Sequence, residues 1–194
     1  MKTKKLNTDP SPIESQLKET KLSSELVFKG NFLKVLRDEV QLPDKKKALR
    51  EYIIHPGAAL IIPILADGQL VMVEQYRYAV RKVFLEFPAG KKDRNESFEK
   101  AAKRELLEEV GYAAKSIKYL TTIHPVIGYA NEEIQIFLAT DLIQKKQNLD
   151  SGEFLNVVYL TLAELEKKVW AGELTDVKTQ IAYFWLAQNL MGRI

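Results

Sequence analysis

GKKDRNESFEKAAKRELLEEVGY, residues 90–112, carries the densest structural signal in the chain. Its second half predicts one helix. Ser97 stands where an N-cap hydroxyl belongs, Gly111 where a left-handed residue ends a helix, and no proline or glycine lies between them. Phe98, Ala102 and Leu106 recur every four residues and share a face. At about 100° per residue, Glu105 and Glu109 fall inside that apolar stripe and Glu108 on its flank. Carboxylates on a packed face are costly unless something pairs with them. One alternative is a solvated helix whose acids Arg104 and the nearby lysines neutralise. The placement of the acids points instead to a cluster that holds hard divalent cations through oxygen.

The spacing narrows this further. Gly90, Glu96, then Arg104-Glu105-Leu106, Glu108-Glu109 and Gly111-Tyr112 resemble the signature of the Nudix hydrolases. Every fixed position is filled; Tyr112 stands where an aliphatic residue is usual. The resemblance runs from about Arg50 to Leu142. It implies a Nudix fold: an α/β/α sandwich with a mixed central sheet and an extra N-terminal antiparallel β region. It also implies metal-assisted hydrolysis of a diphosphate, with magnesium as the ion and manganese as the alternative. Glu105, Glu108 and Glu109 would ligate, together with the backbone carbonyl of Ala89. Arg104 would orient the glutamates by forked hydrogen bonds, and Glu96 would help it or favour the helix N-terminus.

Other segments are similar to the ADP-ribose pyrophosphatases of that family. The loop 128–133 resembles one that carries a metal-binding or water-activating glutamate, which would be Glu132, with Glu133 the alternative. Arg77, in Glu74-Gln75-Tyr76-Arg77-Tyr78, would contact a substrate phosphate, a task that suits a guanidinium. Glu86, ahead of Phe87-Pro88-Ala89-Gly90, would reach ribose hydroxyls. Arg50 leads into the family's core strand and is carried over on the substrate side. Phe28 and Phe32 offer faces for adenine stacking, with dimer or core packing the alternative. Pro125 falls near a family marker proline, but Val126-Ile127 intervene before Gly128, which leaves other nucleoside diphosphate sugars open.

The chain has 194 residues, 46% of them hydrophobic, enough for one domain with additions. Twenty-nine basic and 26 acidic residues leave a net charge of +3, too even to argue for nucleic-acid or membrane binding. The absence of cysteine excludes disulfides and thiolate metal sites and fits a cytoplasmic setting. The longest apolar run, residues 57–65, is too short to span a bilayer. The lysine-rich start has no apolar segment behind it, so no secretory signal is expected.

Residues 1–22 are polar and are expected to form a tail, residues 23–55 an N-terminal β region, and residues 56–194 the catalytic domain. Gly30-Asn31 between apolar runs predicts a hairpin. Residues 58–65 and 69–76 read as buried strands and 83–87 as a short one. After the helix, strands are expected over 117–123, 133–142 and 154–160. A helix capped by Thr161 is expected over 162–170, and a last helix from Thr175 or Asp176 to about Leu190. By resemblance, the N-terminal strands build a homodimer. The combined expectation is hydrolysis of ADP-ribose or a related nucleoside diphosphate sugar. The alternatives are a GDP-mannose or broad sugar-nucleotide hydrolase and a binding module without turnover.

Overall fold

The computed structural model describes residues 12–190, in two compact units. Residues 1–11, half of the expected tail, lie outside the described residues. The first unit runs through His55 and includes residues 128–131; the second holds 56–127 and the chain from 132 onward.

In the first unit a six-residue helix, α1 (Pro12–Leu17), precedes three strands: β1 (Thr20–Lys29), β2 (Lys34–Gln41) and β3 (Lys47–Ile53). They form an antiparallel sheet in the order β1-β2-β3. The strand starts at Thr20, inside the segment expected to be tail, because its polar residues pair with β2 along the whole hairpin. The hairpin is closed at Gly30, whose N–H donates to the Leu33 carbonyl at 2.8 Å. Asp38 is buried and accepts from Ser24 Oγ (2.5 Å) and Tyr52 Oη (3.0 Å). The Ser24 hydrogen bond, partly opposed by burial, keeps its carboxyl below the usual range. The segment 128–131 adds to this unit through Ile53 N–H to Tyr129 O (2.8 Å) and His55 N–H to Asn131 Oδ1 (2.7 Å).

The second unit contains β4 (Ala58–Pro63), β5 (Leu70–Arg77), β6 (Lys82–Glu86), β7 (Ala89–Lys91), α2 (Phe98–Val110), β8 (Tyr112–Ile123), β9 (Ile134–Gln144), β10 (Leu155–Leu160), α3 (Leu162–Trp170) and α4 (Val177–Leu190). A mixed sheet runs β7-β4-β9-β8, with β4 and β9 parallel; an antiparallel sheet runs β10-β5-β6. Every residue of β4 is buried. Strand periodicity splits it between two cores. Ala59 and Ile61 join Val71, Val73, Phe137, Ala139 and the α2 residues Ala101, Ala102, Leu106 and Val110. Leu60 and Ile62 join Met72, Ile136, Leu138, Leu165, Ala182 and Leu186, the last three from α3 and α4. Helices therefore cover both faces, the α/β/α layering expected of this pattern.

Two elements of the second unit differ from the sequence reading. β7 is a strand where a loop was expected; its three residues pair with β4 and are too few to show a period. β8 begins at Tyr112, five residues early, because Gly111 ends α2 and delivers the chain directly onto β9. Tyr112 itself is buried in the α2 core, its hydroxyl 3.2 Å from that of Tyr159. Among the described residues no helix is long and apolar enough to cross a membrane.

Candidate active site

Helix α2 carries the site, and its ends are built as its sequence dictates. Ser97 Oγ accepts the Lys100 N–H at 3.3 Å, and Gly111 takes φ 71°, its N–H satisfying carbonyls of the last turn. Between these caps, Glu105 and Glu109 lie on the buried face beside Ala101, Ala102 and Leu106, only 8% and 3% exposed. The strand entering the box runs past them. Ala89 donates its N–H to Glu109 Oε2 at 3.2 Å, and a Cβ placed on Gly90 would overlap the Glu105 carboxylate. Glycine at position 90 is thus a matter of space: the acid occupies the volume a side chain would need.

Arg104 organises the acids around it. Its Nε and Nη2 hold Glu96 at 3.1 and 3.0 Å, and Nη1 reaches Glu105 at 2.7 Å and Glu108 at 2.9 Å. Nη2 also donates to the Lys91 carbonyl at 2.8 Å, tying the helix to the strand that enters the box. The hydrogen bonds to Glu96 lead the effects that raise Arg104 above its ordinary value, and in return they keep Glu96 below the usual carboxylate range.

The two inner acids are pushed the other way. Burial raises Glu105, with Arg104 opposing. Burial raises Glu109 well above the ordinary carboxylate value, and the charges of Glu105 and Glu153 push it further. Glu153 acts on both, yet nothing in the sequence singled it out. It lies just before β10, where Leu155 pairs with Gln75, and it accepts a 3.3 Å hydrogen bond from Gln75 Nε2. The clue available in the sequence was its position, an acid immediately ahead of the last strand.

Arg77 and Glu86 also come together. They lie on neighbouring strands of the β5–β6 hairpin, and Arg77 Nε and Nη2 grip the two Glu86 oxygens at 2.7 and 2.6 Å. Glu86 is 2% exposed and also accepts from Lys178 Nζ. Burial alone would raise Glu86; the Arg77 and Lys178 contacts outweigh it and bring the carboxyl below the usual range. Arg77 also lies within electrostatic reach of Glu109.

The other sequence candidates have these partners. Glu133 accepts from Gln135 Nε2 at 3.0 Å, and its carbonyl accepts the Ala58 N–H. Neither Glu132 nor Glu133 is among the charges acting most strongly on Glu105 and Glu109. Arg50 and Phe28 belong to the N-terminal unit. Arg50 pairs with Glu19 through Nε (2.9 Å) and Nη2 (2.5 Å), and Phe28 is half exposed.

Glu105, Glu108 and Glu109, with the Ala89 backbone, form a donor set that fits a hard divalent cation: oxygen only, gathered at one end of one helix face. Among the described residues, no three carboxylate or imidazole groups converge as a finished cage, because Arg104 holds an oxygen of Glu105 and of Glu108. The fit rests on chemistry. Buried acids whose carboxyls are pushed up by burial and by neighbouring carboxylates are stabilised as anions by an added positive charge.

The NUDIX domain model matches residues 54–178, and the nucleoside diphosphate sugar hydrolase N-terminal domain model matches residues 19–53. The chain is similar to the ADP-ribose pyrophosphatase of Bacillus subtilis (strain 168), 36% identical over 172 residues, 88% of this chain and 93% of that protein. It is also similar to the methanol dehydrogenase activator of Bacillus methanolicus, 37% identical over 171 residues, 87% of this chain and 92% of that protein. A crystal structure of an ADP compounds hydrolase superposes with a TM-score of 0.80 at 26% identity, covering 91% of this chain and 97% of that one. Nudix hydrolases generally work with divalent metal ions. The inward acids, the strand that makes room for them and these matches lead to one conclusion: this chain belongs to the Nudix family and is a hydrolase of that family.

Proposed function

We propose that the enzyme hydrolyses the diphosphate bond of ADP-ribose or a related nucleoside diphosphate sugar, giving a nucleoside monophosphate and a sugar phosphate. One observation carries the reading: Glu105 and Glu109 are buried against Ala89 and Gly90, with Glu153 close enough to raise both. The substrate class is supported by the relatives named for ADP-ribose and ADP compounds. Glu105, Glu108, Glu109 and the Ala89 carbonyl would hold magnesium, or manganese. When bound, the ion neutralises diphosphate oxygens and makes a coordinated water more acidic.

The chain's own residues supply the rest. Arg104 fixes the glutamates through four hydrogen bonds and ties them to the entering strand through a fifth, to the Lys91 carbonyl. Arg77 faces the diphosphate, and Glu86, nearly fully buried and held by both Arg77 and Lys178, anchors the guanidinium. Glu153 accepts the proton of the attacking water; the water oxygen bonds to phosphorus and the bridging P–O bond breaks. We assign that role to Glu153 rather than to Glu132 or Glu133 because it is the acid that acts on Glu105 and Glu109 from outside their helix.

A panel of sugar nucleotides with magnesium, read by phosphate-resolved product analysis, tests the proposal. AMP and ribose 5-phosphate from ADP-ribose are expected; preferred cleavage of GDP-mannose, or tight binding without turnover, would replace it with one of the alternatives. In the same assay Glu153→Gln is expected to lower kcat by about 10²–10⁴-fold with KM little changed. A loss under tenfold would return the base to Glu132 or Glu133.

A homodimer formed through the N-terminal unit is part of this reading, as is a cytoplasmic setting. Leu22, Leu26, Phe28, Phe32, Leu33 and Leu49 are all at least 40% exposed on that unit, more apolar surface than scattered single residues require. Sedimentation equilibrium should give twice the chain mass, falling to one chain mass in Leu26→Lys/Leu49→Lys; a monomeric wild-type protein would remove the dimer.

A further inference from the structure

The first turn of α4 is built around groups that the hydrolytic site does not use. Asp176 accepts the Thr179 N–H at 3.1 Å, Thr179 Oγ1 at 2.6 Å and Lys178 Nζ at 2.9 Å. Thr179, fully buried, also accepts the Phe87 N–H at 3.2 Å. The turn is therefore stitched to the Glu86-Phe87 step. Lys178 stands in this turn with its side chain only 15% exposed. A cation at a helix N-terminus works against the helix dipole, and a buried lysine loses hydration. Helix stability does not explain it.

Glu86 does. It is nearly fully buried, and Arg77 alone already supplies it with a bidentate partner. Lys178 adds a second cation to the same carboxylate. The result is a line of alternating charge from α4 toward the acid cluster: Asp176, Lys178, Glu86, Arg77, Glu109. Arg77 spends Nε and Nη2 on Glu86; among the described residues Nη1 makes no hydrogen bond.

We propose that Lys178 is a positioning residue for diphosphate recognition: by pinning Glu86 from α4, it fixes the plane of the Arg77 guanidinium so that Nη1 is presented to a substrate phosphate. Without Lys178 the Glu86 carboxylate pivots and the Arg77 fork turns with it. The inference deepens the proposed function and rests on it for the identity of the anion.

The test is a double-mutant cycle on ADP-ribose hydrolysis with Lys178→Met, Arg77→Met and the pair, plus Lys178→Arg as the conservative variant. Lys178→Met should raise KM about tenfold with kcat within about threefold, and in the Arg77→Met background should change kcat/KM less than about twofold. Lys178→Arg should restore most of the loss. An equal loss in both backgrounds, or no loss at all, overturns the proposal. A second measurement needs no turnover: the Arg77 Nε–H, followed by ¹⁵N NMR, should exchange with water about tenfold faster or more in Lys178→Met. An unchanged rate overturns the proposal in a protein that remains folded. If wild-type protein does not cleave ADP-ribose, the proposed function falls, and the exchange rate alone decides the role of Lys178.

Discussion

Glu109→Gln is expected to abolish nearly all turnover while leaving the protein at least as stable as wild type. The amide keeps the shape and the acceptor that Ala89 N–H uses. It removes a buried charge that burial disfavours and that Glu105 and Glu153 repel. What is lost is an anionic oxygen for the divalent ion, so a kcat loss of about 10³-fold is expected, equivalent to about 4 kcal/mol of barrier.

The stability side has a definite sign. A carboxyl whose folded value lies above its unfolded value binds more protons when folded, so its effect on stability becomes less favourable as pH rises between the two. With chelator present, thermal unfolding should show the variant gaining on wild type across that interval, then holding a constant lead at higher pH. Near-normal turnover, or a marked loss of stability at neutral pH, would count against the role given to Glu109.

Gly90→Ala carries the second large effect. Gly90 is paired with Ala59 of the fully buried β4, which limits how far its backbone can retreat, and the added Cβ would overlap the Glu105 carboxylate. Glu105 must leave the place where Arg104 Nη1 holds it at 2.7 Å. Overpacking of this kind costs about 1–3 kcal/mol of stability. Displacing a ligand by an ångström costs about 10² in rate. Denaturant unfolding and kcat/KM measured together should show both losses. Unaltered activity would mean that Glu105 has another productive position.

The acid-bearing helix was legible because three independent patterns agree on it: the Ser97 and Gly111 caps, the four-residue apolar recurrence, and the Nudix spacing. β4 was legible as an uninterrupted apolar run, which the two cores on its faces explain. Glu153 was not legible. A lone acid in a polar loop looks like any other, and only the pairing of β10 with β5 brings it to the cluster. Lys178 was hidden for a related reason: a lysine in a first helical turn reads as solvated, and its partner Glu86 is 92 residues away. The sequence points Arg77 and Glu86 separately at substrate, because their mutual contact depends on hairpin register. With Arg77 opposite Lys82 and Glu86 opposite Val73, the two share a face of the hairpin four residues apart, and the long Arg77 side chain spans the gap.

The account depends on the inward acids gathering a cation between themselves and the diphosphate. A crystal grown with magnesium and an ADP-ribose analogue whose phosphates are joined by a methylene group tests this directly. The expected result is Glu105 and Glu109 oxygens about 2.1 Å from an ion that also contacts the analogue. Glu105 and Glu109 still bound up with Arg104 and Ala89, with the analogue held elsewhere and no ion at the helix, would contradict it.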